Sequence, residues 1–238
     1  MDNYFIKDNY KNNPVEKYDA NEKYWTEKRI TNSKLYQFYV YTEMRKSIDF
    51  RKKSKLIDIG CGTGLKLNLL NNSNKNLEIF GTDTEESINI CKEYLSFGNW
   101  IIDNLSNPNK SLYQKHRNSF DYIICSDVIE HLEYPDTLLD LIHYLSNEKT
   151  IIVLSTPDRI KFRGKNNSQS PNKAHVREWS NEELELYLKN KNFNIINSKF
   201  TLPVRLSFTK ACYNEIIKRF LLLKNIFYNQ VVILKSIK

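Results

Sequence analysis

Apolar residues follow two alternating rhythms along this chain, and the alternation points to a fold class. Short runs at Lys55–Ile59, Leu77–Thr82, Trp100–Ile102, Phe120–Ser126 and Thr150–Leu154 have strand length and are rich in β-branched and aromatic residues. Between them, Gly64–Leu70, Glu86–Leu95 and Asp136–Leu145 read as helices. Apolar strands alternating with amphipathic helices predict a mostly parallel, doubly wound α/β sheet covered on both faces. Ahead of this core, Ser33 reads as the N-cap of a helix running to Ile48, with Leu35, Phe38, Tyr39, Thr42 and Arg45 at helical spacing. After it come a polar loop at 156–176, a helix at Ser180–Lys191, and strands near Phe193–Phe200 and Gln230–Ile237. The stretch between these last strands is too long for a hairpin turn. Within it Ala211–Leu223 places Cys212, Ile216 and Phe220 four apart, as an amphipathic helix would. Asn71–Asn76 and Asn166–Asn167 read as loops.

Composition narrows the class. The 238 residues are 40% hydrophobic and 27% charged, which excludes whole-chain disorder. A chain of this length hides roughly 70% of its unfolded surface on folding, so one domain over 1–238 is expected. It divides into an N-terminal helical extension (1–50), a core (51–155) and a C-terminal part with a loop, helices and the last two strands (156–238). No apolar run exceeds four residues, far short of the ~20 that span a membrane. The N-terminal stretch has no apolar signal segment. The four cysteines lack metal or redox spacing and read as free thiols, so a soluble cytoplasmic protein is expected. The net charge of +8 divides unevenly: +5 over 1–55, −7 over 56–155 and +10 over 156–238. An acidic middle beside a basic last third suggests that the two meet different partners, although a lysine-rich solvated surface accounts for the same numbers.

The densest chemical signal is Asp58-Ile59-Gly60-Cys61-Gly62-Thr63-Gly64, where a strand enters a glycine-rich turn leading to a helix. Such a turn lets backbone approach a ligand at a helix N-terminus. The third glycine comes one residue too early for a dinucleotide fingerprint, and Leu65 stands at the dinucleotide position. Asp58, two residues before the turn, would repel a pyrophosphate but suits a cationic or amine-bearing ligand.

This segment resembles the first motif of class I S-adenosylmethionine-dependent methyltransferases, and the resemblance continues in register. Ile79–Asp83 is similar to the second strand of that family, Trp100–Asp103 to the third, and Phe120–Leu132 to the fourth strand with its following turn. Together they cover about residues 55–155. The resemblance implies a Rossmann-like seven-stranded sheet whose C-terminal strand is antiparallel, with a helical insert before that strand, and it implies S-adenosylmethionine as cofactor. Asp83, beside Thr84, would then accept both ribose hydroxyls, and Asp103 would face the adenine amine. Asp58, Gly60, Cys61, Gly62, Gly64, Asn104 and Ser126 complete the expected cofactor contacts. A helix N-cap is the alternative for Asp83, and a solvated loop acid the alternative for Asp103.

The acceptor side is expected after the fifth strand. Ser155–Arg159, a polar loop and Ala174–Ser180 resemble a subset of small-molecule and glycan methyltransferases with an S-T-P-[DN]-R segment followed by H-x-R-E-W. Arg159, Arg177 and Trp179 would bind an anionic acceptor, and His175 would be the base, with His131 second. A scaffold role is the alternative for His131, a structural ion pair for Arg177 and a helix-start anchor for Trp179. A metal site needs several ligands at suitable spacing; only Glu130, His131 and His175 come near, and no metal is expected. The expected function is O-methylation of a small anionic acceptor (a sugar, nucleotide-linked or phosphorylated metabolite, as in surface-glycan or capsule pathways) by a monomer or homodimer. No nucleic-acid partner is expected, because nine of the 36 basic residues are arginine and no base-methylase motif or RNA module is present. An RNA-directed enzyme, a lipid or quinone methyltransferase using the 211–223 helix as an interfacial anchor, and a catalytically silent cofactor-binding subunit are the alternatives.

Overall fold

The first strand shows how the sequence builds the sheet. In β1 (Ser54–Ile59), Leu56 packs with Tyr41, Met44 and Leu67, while Ile57 and Ile59 pack with Leu138 and Ile142 on the opposite face. A strand apolar on both faces must be covered on both. The computed structural model, which describes residues 4–15, 24–71 and 76–237, provides that cover. One face carries α2 (Phe38–Ser47) and a tight turn at Leu65–Leu69; the other carries α4 (Pro135–Leu145) and α6 (Asn181–Asn190). The remaining strands are β2 (Leu77–Asp83), β3 (Gly98–Ile102), β4 (Phe120–Ser126), β5 (Ser146–Pro157), β6 (Phe193–Thr201) and β7 (Asn229–Ser236), and α3 (Glu85–Tyr94) links β2 to β3. Their spatial order is β3-β2-β1-β4-β5-β7-β6. β7 runs antiparallel between β5 and β6, and the other pairings are parallel, as expected for the Rossmann-like sheet. The strand order reverses between β1 and β4, so the crevice at their C-terminal ends is where such a sheet binds ligands.

Three helices differ from the sequence expectation. The helix expected over Ser33–Ile48 is two: α1 (Glu27–Ser33) and α2, separated by Gln37 in the left-handed region at φ 52°. Residues 35–37 are drawn instead into pairing with 203–205, through Gln37 N–H to Pro203, Arg205 N–H to Leu35 and a bridge between Tyr36 and Val204. Ser33 therefore ends a helix, and its hydroxyl donates to the Ile30 carbonyl and accepts from Thr63. The helix expected at Gly64–Leu70 is only a 3₁₀ stretch, and the Leu69 carbonyl bonds the Arg45 guanidinium. The expected Ala211–Leu223 helix is α7 (Lys210–Cys212), a π turn at Tyr213–Ile217 and α8 (Lys218–Leu221). Cys212 and Ile216 are buried against Leu35 and Val204, but Phe220 is 65% exposed, so the apolar stripe is only partly used. The loop expected at Asn71–Asn76 lies mostly outside the described residues.

Residues 4–15 strap the loop between α5 (Arg159–Arg163) and α6. Lys11 N–H donates to Ser168 and Asn13 N–H to Val176, while the Asn13 amide donates to the carbonyls of Ser170, Asn172 and His175 at 2.9–3.0 Å. Gln169 in turn donates to Asn13 Oδ1 at 2.8 Å. This asparagine is 3% exposed, so its partners have no water to replace it. Asn13→Ala should cost about 2–4 kcal/mol of stability, because several buried acceptors lose their donor. Urea denaturation checks this, and an unchanged midpoint would show that the strap contributes nothing.

Candidate active site

The glycine turn that follows β1 takes its shape from two contacts. Gly60 has φ 77°, and a Cβ there would lie 2.2 Å from Val128 Cγ2, so the turn presses directly against the segment after β4. Gly62, at φ 56°, donates its N–H to Asp83 Oδ2 at 2.8 Å, which joins the ends of β1 and β2. Asp83 Oδ1 accepts from the backbone and hydroxyl of Thr84. A carboxylate has about four acceptor positions and these contacts use three, but the Thr84 hydroxyl also reaches Ser87 as an alternative acceptor, so a pair of hydroxyls can be accommodated when it turns there. Gly64 opens the 3₁₀ stretch, and Cys61 turns its side chain into the protein against Cys91. The hydrogen bond with Cys91 and burial push the Cys61 thiol up, so only its backbone is suited to face a ligand. Trp25, which the sequence reading passed over, lies 3.5 Å from the position of a Gly62 Cβ and bonds Ser87 and Glu86.

Asp58 is fully buried. One oxygen accepts from Tyr41 at 2.6 Å and the other has no partner. Burial pushes its carboxyl up to about 7. An orphaned acidic oxygen beneath the glycine turn fits a ligand bearing a positive charge. Asp103, just past β3, is engaged on both oxygens, by Tyr113 on one and the Asn104 and Asn109 amides on the other. It organises the following loop, and Asn104 caps a turn at Ser106. Ser126 donates to Ser155, which donates to Asp127 Oδ1; Gln37 donates to Asp127 Oδ2. Asp127 also escaped the sequence reading, although its place directly after β4 is the signal that could have found it.

The acceptor side departs from expectation. Arg159 is 1% exposed, donates from Nη2 to both carboxylate oxygens of Glu183 and lies over Tyr10. Arg177, equally buried, donates to the Leu132 and Glu133 carbonyls and covers Tyr4. Trp179 is a core side chain that stacks on Tyr187 and donates to the Tyr4 carbonyl. Arg177 Nε has no partner but is buried, and the other polar groups of the three side chains are committed to holding the strap and the loop in place.

The two histidines do converge. Their rings meet edge-to-face at 4.8 Å between centroids. His175 Nδ1–H donates to Glu178 at 2.7 Å, and His131 Nδ1–H to the Ala174 carbonyl at 2.7 Å. Glu178 is fully buried and also takes a bidentate contact from Arg163 and the Ser170 hydroxyl. Burial would raise this carboxyl, but His175 and Arg163 hold it down at about 2. Burial, and the neighbouring His175, push His131 down to about 4, so it is neutral at physiological pH. Glu130, beneath them, is pushed well up by burial and by Asp127.

An open sheet carrying a glycine turn and a strand-end acid at its switch point defines a nucleotide-cofactor enzyme of the Rossmann-like class. A family model described as a methyltransferase domain matches residues 35–198, and the chain belongs to that family. Solved structures agree on the fold. A putative methyltransferase from Haloferax volcanii, in complex with the activator Trm112, has a TM-score of 0.65 at 10% identity, over 84% of this chain and 90% of that one. A SAM-dependent methyltransferase from Aquifex aeolicus gives 0.57 at 13% identity, over 89% and 94%. The [4+2]-cyclase SpnF gives 0.63 at 12% identity, over 88% and 92%. No curated protein sequence matches the chain. The enzyme is a class I methyltransferase that uses S-adenosylmethionine, which supplies a methyl group activated on a sulfonium.

The residues at the switch point fit that cofactor. Asp83 has acceptor capacity for the ribose, the glycine turn gives close backbone approach, and the orphaned Asp58 oxygen suits a cationic group. Asp83→Ala should weaken S-adenosylhomocysteine binding by about 2–4 kcal/mol, through loss of two charge-assisted bonds. Calorimetry on a folded variant with unchanged affinity would move the ribose site elsewhere.

Proposed function

We propose that the enzyme O-methylates a small, hydroxyl-bearing, anionic acceptor: a sugar, nucleotide-linked or phosphorylated metabolite of the kind surface-glycan or capsule pathways use. The observation that carries this reading is the cluster of Glu130, His131 and His175, two of them on the segment after β4 whose Val128 packs against the glycine turn. Methyl transfer to a hydroxyl needs alignment and removal of a proton, and this cluster supplies titratable side chains suited to the second. With Arg159 and Arg177 buried, the anionic preference rests on the surplus of +10 over residues 156–238. The cofactor contacts are assigned to Asp58, Gly60, Cys61, Gly62, Gly64, Asp83, Thr84, Asp103, Asn104 and Ser126. The single domain is assigned to the cytoplasm as a monomer or homodimer. Among the described residues no helix is long and apolar enough to cross a membrane.

The test is a thermal-shift panel of nucleotide sugars and phosphorylated metabolites with S-adenosylhomocysteine present, followed by a turnover assay on each hit. Stabilisation and methylation of a hydroxylated anion support the reading; cofactor binding with turnover of nothing favours a silent subunit, and SpnF shows that this architecture hosts other chemistry. A second reading has its own observation. Phe208, Phe220, Leu221 and Leu223 are exposed beside Lys210, Lys218 and Lys224, a composition that suits contact with an anionic membrane and a lipid-linked acceptor. Co-sedimentation with anionic but not neutral vesicles would favour it.

A further inference from the structure

One carboxylate oxygen of Glu130 and one ring nitrogen each of His131 and His175 lie within 4.8 Å of one another. Both rings are oriented through Nδ1, by the Ala174 carbonyl and the Glu178 carboxylate, which leaves each Nε2 to meet a ligand. Metal-binding histidines are held in this way, because the outer hydrogen bond fixes tautomer and direction. Glu130 is fully buried; its Oε2 accepts from Thr156, and its Oε1 has no partner. An unpaired buried oxygen is costly unless something absent from the chain itself pairs with it. The segments that carry the donors are fastened from outside: Asn13 holds the His175 carbonyl, Arg177 those of Leu132 and Glu133.

We propose that Glu130, His131 and His175 form a site for a divalent transition-metal ion, Mn²⁺ or Zn²⁺, which binds and activates the acceptor hydroxyl. Two imidazoles and one carboxylate suit such ions and leave positions open for an exchangeable ligand. A cation about 2.0–2.2 Å from each donor needs the donors about 3.0–3.6 Å apart, so side-chain rotations of about an ångström close the set. The proposal departs from the expectation of no metal; the two histidines are 44 residues apart in sequence, a spacing that matches no local metal motif.

The role of the ion rests on the methyl-transfer reading above, whereas the site itself does not. A hydroxyl bound to the cation gives up its proton to solvent near neutral pH. The oxygen then bonds the methyl carbon as the carbon–sulfur bond breaks, and sulfur keeps the electron pair as a neutral thioether.

The test uses the full chain, stripped by chelation and titrated with Mn²⁺ while free ion is read by electron paramagnetic resonance; bound Zn²⁺ is counted after dialysis by mass spectrometry. One ion per chain is expected. His131→Ala and His175→Ala should each weaken Mn²⁺ binding by about 100-fold or more, since even outer partners of metal ligands are worth 10–100-fold. Unchanged S-adenosylhomocysteine affinity shows that each variant is folded, and His175→Gln replaces the alanine variant if that one unfolds. No stoichiometric ion, or equal affinity in the wild type and the double histidine variant, overturns the site. An ion bound by a wild type that does not bind S-adenosylhomocysteine overturns the methyl-transfer reading and leaves the metal site standing.

Discussion

His175→Ala is expected to lower turnover by about 10²–10⁴, the range for loss of a group that activates the nucleophile, and to leave S-adenosylhomocysteine affinity near wild type. His175 stands at the meeting point of the two halves of the site. Its Nδ1 is committed to Glu178, and its ring meets His131 edge-on. It makes no hydrogen bond to the glycine turn or to Asp83, so the cofactor should not sense its loss. Millimolar Mn²⁺ should recover part of the rate, because His131 and Glu130 still offer two donors. Single-turnover kinetics on the first acceptor found in the panel, with Mn²⁺ varied, measure both effects. Near wild-type turnover by His175→Ala would reduce this histidine to an anchor for its loop.

The core was legible because its physics is local. Strands buried on both faces must be apolar throughout, and Leu56, Ile57 and Ile59 announce that in the sequence, as do Ile123–Cys125 in β4. The glycine turn was legible for the same reason: positive φ at Gly60 and Gly62 belongs to those residues themselves. What the sequence concealed depends on distant partners. Nothing near Gln37 indicates that residues 35–37 will pair with 203–205 and split a helix. Arg159, Arg177 and Trp179 look like an exposed recognition cluster until Tyr4, Tyr10 and Asn13 cover the loop from the other end of the chain. Arginine near a sheet edge reads as anion binding, yet buried arginine with carbonyl and carboxylate partners is structural. His131 and His175 were each singled out by the resemblance, but that their rings meet depends on the strap that holds the 172–178 loop against the β4 turn.

Glu178→Ala should destabilise the protein by about 3–5 kcal/mol, the cost of leaving a partner of a buried ion pair uncompensated. Glu178 is the hub of the loop: Arg163, His175 and Ser170 all donate to its carboxylate, and its own N–H donates to Tyr10. Alanine strands a half-buried guanidinium and a ring nitrogen at once and opens a void among side chains the strap holds together. Glu178→Gln keeps the shape and one acceptor, so its loss should be smaller and should isolate the charge. The pH dependence gives the sign. In the folded protein this carboxyl is held at about 2 against its ordinary 4.5. A depressed folded pKa means that the group contributes stability fully above about pH 4.5 and loses it as the pH falls from there toward 2. The gap in unfolding free energy between wild type and Glu178→Gln should therefore be widest at pH 6–7 and narrow progressively below 4.5. Urea denaturation of both proteins at pH 7 and pH 3, with tryptophan fluorescence as the probe, measures the two gaps. An equal gap at both values would mean that Glu178 acts by packing alone and that its charge does not hold His175 in position.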